Sequence, residues 1–281
     1  MIIYFLSYLI IILTGNYFIL RKKLFLNNTG FQHQEFVNIS VPLTGGIFLF
    51  VPALYLLLPG FLILAISYFF LFLLGLLSDL RIFESAKKRF LFQSLIIFLF
   101  VFINELQVTP TKIDFFDDLI QNTFWSYFFT GFCLMILING SNFIDGMNSL
   151  LLGYFTSVLI VLFLLANFNN LILDFEFVQK AIICLSILFF LNIFGLLFVG
   201  DNGAYLISIL VGYILIKFSN ENFIVSPYFI AVLLWYPAYE NLFSIIRKKV
   251  KKFDAFEADN MTQARHHRIT PLHELAHLLV G

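Results

Sequence analysis

The sequence predicts an all-α polytopic membrane protein, a bundle of about nine transmembrane helices. Of its 281 residues, 60% are hydrophobic, 39 are phenylalanine and only 12% are charged, which is too few polar side chains to cover a soluble core. Apolar runs of about twenty residues recur along the chain, and each can cross ~30 Å of hydrocarbon at ~1.5 Å per helical residue. The net charge of zero indicates no class of partner, and no feature indicates nucleic-acid binding.

Nine apolar runs define the predicted helices. Their length predicts that the lipid bilayer is one partner of the protein. The runs are Met1–Leu20, Val41–Leu58, Gly60–Leu77, Phe90–Asn104, Thr123–Ile138, Leu150–Phe168, Lys180–Val199, Ala204–Phe218 and Phe223–Ile246. They place a transmembrane domain in residues 1–246, followed by a basic, histidine-rich tail in residues 247–281. Cys133 and Cys184 fall inside apolar runs, where thiols are usually packing residues, so the cysteines predict no disulfide framework.

Lysine and arginine predict the orientation of this bundle. The connections after the first, third and ninth runs hold 14 of the 17 basic residues, whereas the connections after even-numbered runs hold Lys112, Lys180 and Lys217. Because basic connections stay in the cytoplasm, the N-terminus is predicted outside and the C-terminus inside. We therefore expect the protein in the inner, cytoplasmic membrane.

Polar residues collect on the cytoplasmic side of this predicted topology. Asp79 opens the connection after the third run, NGSNFIDGMNSL (Asn139–Leu150) forms the connection after the fifth, and VGDNGAY (Val199–Tyr205) forms the connection after the seventh. Three odd-numbered connections share one face of a membrane, so these segments are expected to meet. Their convergence predicts a single site on the cytoplasmic face.

The side chains of these connections suit a hard cation and phosphate groups. Asp145 and Asp201 lie in short connections with little basic neutralisation, where an unpaired carboxylate near the membrane edge costs about 1–3 kcal/mol. Mg²⁺ takes one or two carboxylates and completes its shell with water and substrate phosphates. Gly200 and Gly203 let the backbone approach a ligand, and Lys87–Arg89 can contact phosphate oxygens. Together these features suggest phosphoryl transfer onto a lipid-linked acceptor.

Each of these features also has a simpler structural interpretation. An aspartate or asparagine in a short loop is commonly a turn or helix-cap residue. Basic residues beside a span are commonly topology determinants. The coincidence of the whole set on one face favours the functional interpretation.

Four segments resemble the polyprenyl-phosphate N-acetylhexosamine-1-phosphate transferases, which are of the glycosyltransferase family 4 type. NGSNFIDGMNSL is similar to their N-x-x-N-x-x-D-G-x-[DN]-G-L signature, and GLLSDL (Gly75–Leu80) is similar to their G-x-x-D-D segment. VGDNGAY resembles G-D-x-G-S, and PLTGG (Pro42–Gly46) resembles an element of the first cytoplasmic connection. The order, spacing and predicted placement of these segments agree with the family.

The resemblance implies an activity. The enzyme would move the sugar-1-phosphate of a UDP-N-acetylhexosamine to undecaprenyl phosphate and release UMP, in the manner of an undecaprenyl-phosphate GlcNAc-1-phosphate transferase. The reaction would require Mg²⁺, with Mn²⁺ as an alternative ion. It would initiate a lipid-linked cell-surface glycan, as in lipopolysaccharide or cell-wall biosynthesis. A homodimer is compatible with the sequence, which does not show one.

The resemblance also implies roles for individual residues. Asp201 and Asn142 would bind the metal, while Asp79 and Asp145 would be the catalytic residues. Asp79 would act on, or orient, the acceptor phosphate. The residues expected to contact the nucleotide sugar or its phosphates are Lys88, Asn148, Gly200, Arg265, His267 and Arg268.

Four positions depart from the commonest family pattern, although asparagine also occurs in the family at the position of Asn148. Ser78 stands in place of the first aspartate of the usual pair, so a mechanism that needs that carboxylate as a base would be impaired. Asn148 and Ser149 replace the common Asp-Gly, and Ala204 replaces the common serine. If the second aspartate of the pair is the essential one, Asp79 suffices.

The tail departs from the rest of the chain. Its ARHHRITP segment resembles an Arg-His-Arg pyrophosphate-binding loop, yet four of the five histidines and none of the phenylalanines lie after Phe256. A truncated or altered C-terminus would explain this change. HELAH (His273–His277) matches the H-E-x-x-H zinc motif, so an intramembrane zinc protease is one alternative. A transporter with the polar cluster as an ion site is another.

Overall fold

The structure is a computed structural model that describes residues 2–24, 41–50, 62–83, 85–108, 111–145 and 149–250. Residues 45–50 are helical. In these ranges the isolated pairing of Leu43 with Phe198 is a parallel β-bridge. The named helices are α1 (Ile2–Lys22), α2 (Leu62–Asp79), α3 (Ala86–Ile103), α4 (Asp114–Ile120), α5 (Thr123–Ile144), α6 (Leu150–Asn169), α7 (Phe175–Ile193), α8 (Gly200–Glu221), α9 (Pro227–Leu233) and α10 (Trp235–Val250).

The helices have the length and composition of membrane spans. Within the described ranges, five of them, α1 and α5 to α8, are long and apolar enough to cross a bilayer, and the bent pair α9–α10 would make a sixth. The prediction of an all-α polytopic membrane protein is thereby confirmed. The number of nine spans and the orientation stay predictions, and most of the predicted span Val41–Leu58 lies outside the described residues.

The last predicted span, Phe223–Ile246, is instead two helices that meet at an angle of 64°. Pro237 lies in the first turn of α10, where its ring blocks the hydrogen bond to the carbonyl of Leu233. The Tyr154 hydroxyl donates to that carbonyl at 2.6 Å. The bend therefore follows from a proline whose freed acceptor is satisfied by a neighbouring helix.

Helix α8 lies at the centre of the bundle and packs on α2, α5, α6 and α9. In its most apolar stretch 89% of the residues are buried, against 17% for α1 at the periphery. Small side chains explain this position, because they let helix backbones approach closely. At Gly212, for example, an added Cβ would lie 2.5 Å from Cδ2 of Leu134 in α5.

Hydrogen bonds show which helix ends lie together. Asn220, near the C-terminus of α8, donates to the carbonyl of Gln107 at 2.9 Å. The next residue, Val108, donates its N–H to Oγ1 of Thr130 in the first half of α5 at 3.0 Å. The C-terminal ends of α3 and α8 therefore meet the N-terminal half of α5. Because α5 packs on α8 in this antiparallel sense, the C-terminus of α5 lies at the same end of the bundle as the N-terminus of α8.

Candidate active site

Asp79, the last residue of α2, binds the N-terminus of α8. Its Oδ1 accepts from the N–H of Asp201 at 2.8 Å, and its Oδ2 accepts from the N–H of Asn202 at 3.2 Å. The first N–H groups of a helix have no partner within the helix, and a carboxylate both satisfies them and complements the positive end of the helix dipole. The GLLSDL and VGDNGAY segments, over 120 residues apart, are thus in direct contact.

Glycines make this contact close. An added Cβ at Gly75 would lie 2.3 Å from Cα of Asn202, so α2 and α8 touch backbone to backbone. Gly200 has φ of +78°, a conformation that favours glycine, and an added Cβ there would lie 2.6 Å from Oδ2 of Asp79. Gly200, predicted to let the backbone approach a ligand, lets it approach the Asp79 carboxylate.

The PLTGG segment runs beside the residues that lead into α8. Phe198 donates its N–H to the carbonyl of Pro42 at 2.9 Å, and Gly46 donates to the carbonyl of Val199 at 3.2 Å. An added Cβ at Gly46 would lie 2.1 Å from Oδ1 of Asn202. This segment therefore joins GLLSDL and VGDNGAY as the third part of the same junction.

Asp201, the second residue of α8, forms an ion pair in this junction. Its Oδ2 accepts from Nη1 of Arg89 at 2.7 Å and from Oγ of Ser78 at 2.5 Å. The same guanidinium nitrogen also donates to Oγ of Ser78. The side chains of Arg89 and Asp201 are 25% and 17% exposed, so the pair is partly buried with one side open.

Arg89 is a site residue that the sequence analysis mentioned only within the basic group Lys87–Arg89. The neighbouring Lys88, which we predicted to bind phosphate, is exposed in the first turn of α3. The signal that separates the two is helical spacing. Gln93 and Ile97, which follow Arg89 at intervals of four residues, are both buried, so Arg89 lies on the inward face of α3. The role of Lys88 stays a prediction.

The NGSNFIDGMNSL segment ends α5. Asp145 is the residue after the last turn, where it is buried and donates its N–H to the carbonyl of Ser141 at 3.0 Å. Asn142 lies one turn earlier and is half-buried. A carboxylate at a helix C-terminus opposes the helix dipole, so its burial at that point is unfavourable without compensation. Both residues lie at the same end of the bundle as Asp79 and Asp201.

Asn192 connects this segment to α8, and the sequence analysis missed it. It is 3% exposed, accepts from the N–H of Ser149 at 2.5 Å and donates to the carbonyl of Leu197 at 2.7 Å. Asn192 therefore links Ser149, at the start of α6, to Leu197, which lies four residues before Asp201 in the chain. A single asparagine near the end of an apolar run was the only signal in the sequence.

Helix α10 covers the C-terminal half of α5. An added Cβ at Gly140 would lie 2.1 Å from the carbonyl oxygen of Pro237, and Nζ of Lys248 lies 5.9 Å from the ring centroid of Phe143. Glu240 and Lys248 are buried on this face. Lys248 belongs to the basic group after the ninth apolar run, and its ammonium contacts the ring of Phe143, two residues before Asp145.

Several predicted residues lie outside the described ranges. They are Asn148, Arg265, His267, Arg268 and the HELAH segment. Their predicted roles, including the zinc-protease alternative, therefore stay predictions.

The described residues fit a magnesium ion only in part. None of them form a group of three or more His, Cys, Asp or Glu side chains arranged to hold a metal. Asp201 is suitable, because both hydrogen bonds of its carboxylate in the described part of the chain end on Oδ2 and leave Oδ1 for a ligand. One or two carboxylates suffice for Mg²⁺ when water and substrate phosphates complete the shell. Asn142 as a second ligand stays a prediction.

The side chain of Asn202 adds an observation at the same place. It is fully buried, and neither Oδ1 nor Nδ2 has a hydrogen-bond partner in the described part of the chain. Its Oδ1 packs against Gly46, so this unsatisfied amide lies in the buried contact between the PLTGG segment and α8, where buried amides are nearly always hydrogen-bonded.

Comparison with known proteins gives a family match. A family model described as Glycosyl transferase family 4 matches residues 61–219, which is more than half of the chain. The matched segment runs from α2 to α8 and includes Asp79, Arg89, Asp145 and Asp201. No curated protein matches the chain.

Proposed function

The chain belongs to glycosyl transferase family 4, and from this premise we propose that it is a membrane transferase for N-acetylhexosamine-1-phosphate. The donor would be a UDP-N-acetylhexosamine and the acceptor undecaprenyl phosphate. An oxygen of the acceptor phosphate would attack the phosphorus that carries the sugar, the bond from that phosphorus to UMP would break, and UMP would leave. The product would be the first lipid-linked unit of a cell-surface glycan.

The junction of α2 and α8 is the single observation that carries this proposal. Ser78 and Asp79 meet Asp201 in direct hydrogen bonds, and Arg89 pairs with the same carboxylate. The junction thus combines anionic groups, a guanidinium and a helix N-terminus at one end of a membrane bundle. Such a set can hold a cation and the phosphate groups of a substrate.

The proposed roles follow from this geometry and from the family. Asp201, with Asn142, would hold Mg²⁺, which when bound would neutralise negative charge on the pyrophosphate. Asp79 would orient the acceptor phosphate through its fixed position at the start of α8. Asp145 and Asn148 would contact the nucleotide sugar. We propose the cytoplasmic face of the inner membrane for this site, because the basic connections lie on the same side in the predicted topology.

The test is UMP release by purified protein with undecaprenyl phosphate, Mg²⁺ and a panel of UDP-N-acetylhexosamines. We expect release with at least one sugar, and we expect Asp201→Asn to abolish it, because losing a carboxylate ligand removes several kcal/mol of transition-state stabilisation, on the order of 10²-fold or more in rate. Asp118→Asn is the matched control, since Asp118 is an exposed carboxylate on α4. Unchanged activity of Asp201→Asn would reject Asp201 as a metal ligand.

A transporter would give different results. It would move an ion or solute across vesicles and would release no UMP from any donor sugar. Zinc in one-to-one ratio with the purified protein, together with proteolysis, would instead favour the HELAH alternative.

A further inference from the structure

Arg89 and the proposed metal would share one carboxylate, that of Asp201. Nη1 of Arg89 lies 2.7 Å from Oδ2 of Asp201, and the hydroxyl of Ser78 lies 2.5 Å from the same oxygen. Because Oδ2 already accepts two hydrogen bonds, a divalent cation would bind Oδ1 of the same carboxylate. A cation with a coordination distance of about 2.1 Å would also place its charge close to the guanidinium.

Repulsion between the guanidinium and a bound cation would favour a second position for Arg89. A guanidinium binds phosphate oxygens as well as it binds carboxylates, often through two parallel hydrogen bonds. Arg89 has five N–H donors, and the hydrogen bonds to the Ser78 and Asp201 side chains use Nη1. Its side chain is 25% exposed, so it can turn toward the open side of the junction.

We propose that Arg89 alternates between two anions. It neutralises Asp201 when no metal is bound, and it moves to a phosphate group of the donor when the metal takes the carboxylate. Metal and nucleotide sugar would then bind cooperatively, because the metal releases the guanidinium that the phosphate requires. This inference rests on the proposed function and adds a phosphate-positioning residue to it.

Ser78 supports the first of the two positions. Its hydroxyl donates to Asp201 and accepts from Arg89, so it joins the carboxylate and the guanidinium in one closed set of three side chains. The family pattern has an aspartate at this position. Because the Ser78 hydroxyl is uncharged, the positive charge of Arg89 neutralises the carboxylate of Asp201 and is not shared with a second carboxylate at position 78.

Binding of Mn²⁺ without nucleotide, followed by electron paramagnetic resonance, tests the first step. We expect Arg89→Gln to bind Mn²⁺ about 3- to 10-fold more tightly than the unaltered protein, since a partly exposed ion pair no longer opposes the metal. Arg81→Gln removes an exposed arginine from the connection between α2 and α3 and should leave the affinity unchanged. Arg89→Lys keeps the charge and should bind Mn²⁺ close to the original affinity, which controls for misfolding.

Kinetics test the second step. At saturating Mn²⁺, Arg89→Gln should raise the KM for the UDP-sugar by about 10-fold or more, because a charge-assisted phosphate contact is lost. An unchanged KM would show that Arg89 does not reach the donor, and would overturn the proposal.

The Mn²⁺ experiment also separates this proposal from the proposed function. If Asp201→Asn loses the Mn²⁺ site while Arg89→Gln binds with the original affinity, the alternation of Arg89 is wrong and the metal site remains. If Asp201→Asn binds Mn²⁺ as the unaltered protein does, the metal lies elsewhere and both proposals fail.

Discussion

Asp79 has a structural contact that bears directly on its proposed chemical role. Because its carboxylate accepts from two N–H groups of α8, a substitution can act through the position of Asp201 as well as through lost charge. Asp79→Asn keeps the size of the side chain and an oxygen acceptor for the shorter contact, to the N–H of Asp201, and gives up the longer contact to the N–H of Asn202. We therefore expect Asp79→Asn to fold normally and to lose at least ~10²-fold in transfer rate, the usual contribution of a group that positions or deprotonates the nucleophile.

Asp79→Ala separates the two contributions. It removes the acceptor altogether, and the loss of a cap of this kind costs about 0.5–2 kcal/mol of stability. Thermal unfolding in detergent and UMP release, measured on both variants, give the comparison. Near-normal turnover of Asp79→Asn would remove Asp79 from the catalytic residues and leave it the structural role alone.

Ser149 stands where the family commonly has glycine, and the structure gives the reason for the glycine. Its φ is +69°, and its buried hydroxyl has no hydrogen-bond partner within the described residues. A left-handed conformation costs a non-glycine residue about 1 kcal/mol, and a buried unsatisfied hydroxyl adds to that cost. Ser149→Gly keeps the N–H that donates to Asn192 and should stabilise the protein by about 1 kcal/mol.

Thermal unfolding checks this expectation, with a rise of roughly 2–4 °C per kcal/mol for a chain of this size class. Ser157→Gly is the matched control, because Ser157 is exposed in the middle of α6, where glycine should lower stability by about 0.5–1 kcal/mol. A lower unfolding temperature for Ser149→Gly would show that its hydroxyl or its rigidity supports the loop.

At the scale of whole elements, the contact of α2 with α8 depends on Gly75. An alanine Cβ there would meet backbone atoms of Asn202, which cannot rotate away, whereas at Gly153 it would meet the ring of Phe189 at 2.8 Å. Both changes gain about 0.5–1 kcal/mol of helix propensity. We expect Gly75→Ala to lower the unfolding temperature and the transfer rate, because it separates Asp79 from α8 at an overpacking cost of about 1–3 kcal/mol.

Gly153→Ala serves as the comparison and should be neutral or stabilising, because a ring can shift. Equal unfolding temperatures for the two variants would mean that α2 moves aside without cost. The junction would then be less rigid than the backbone contact indicates.

At the scale of the whole molecule, the helix packing makes the orientation testable with two positions. The end of α2 and the short helix α4 lie at opposite ends of the bundle, because α4 packs on the N-terminal part of α5. In the predicted topology, Ile82→Cys should react with an impermeant maleimide only in inverted vesicles, and Asp118→Cys only in intact cells. Labelling of Ile82→Cys from outside would place the candidate site on the opposite membrane face.

The sequence by itself determined the class of the protein and the residues of its motifs. Apolar runs of span length specify membrane helices because each helix satisfies its own backbone hydrogen bonds in lipid, without help from distant residues. The predicted starts at Thr123 and Leu150 coincide with those of α5 and α6 for this reason. The resemblance of GLLSDL, NGSNFIDGMNSL and VGDNGAY likewise identified the family that the family model matches.

Only the tertiary structure decided which side chains meet and how each helix is rotated about its own axis. Whether Lys88 or Arg89 reaches Asp201 depends on the angle at which α3 faces α8, since adjacent residues on a helix point about 100° apart. Asp79 caps α8 across more than 120 residues of sequence. Asn192 lies near the site because its side chain hydrogen-bonds to two connections, at Ser149 and at Leu197. Contacts of this kind arise from packing between helices, and the local pattern of the sequence does not specify which residues make them.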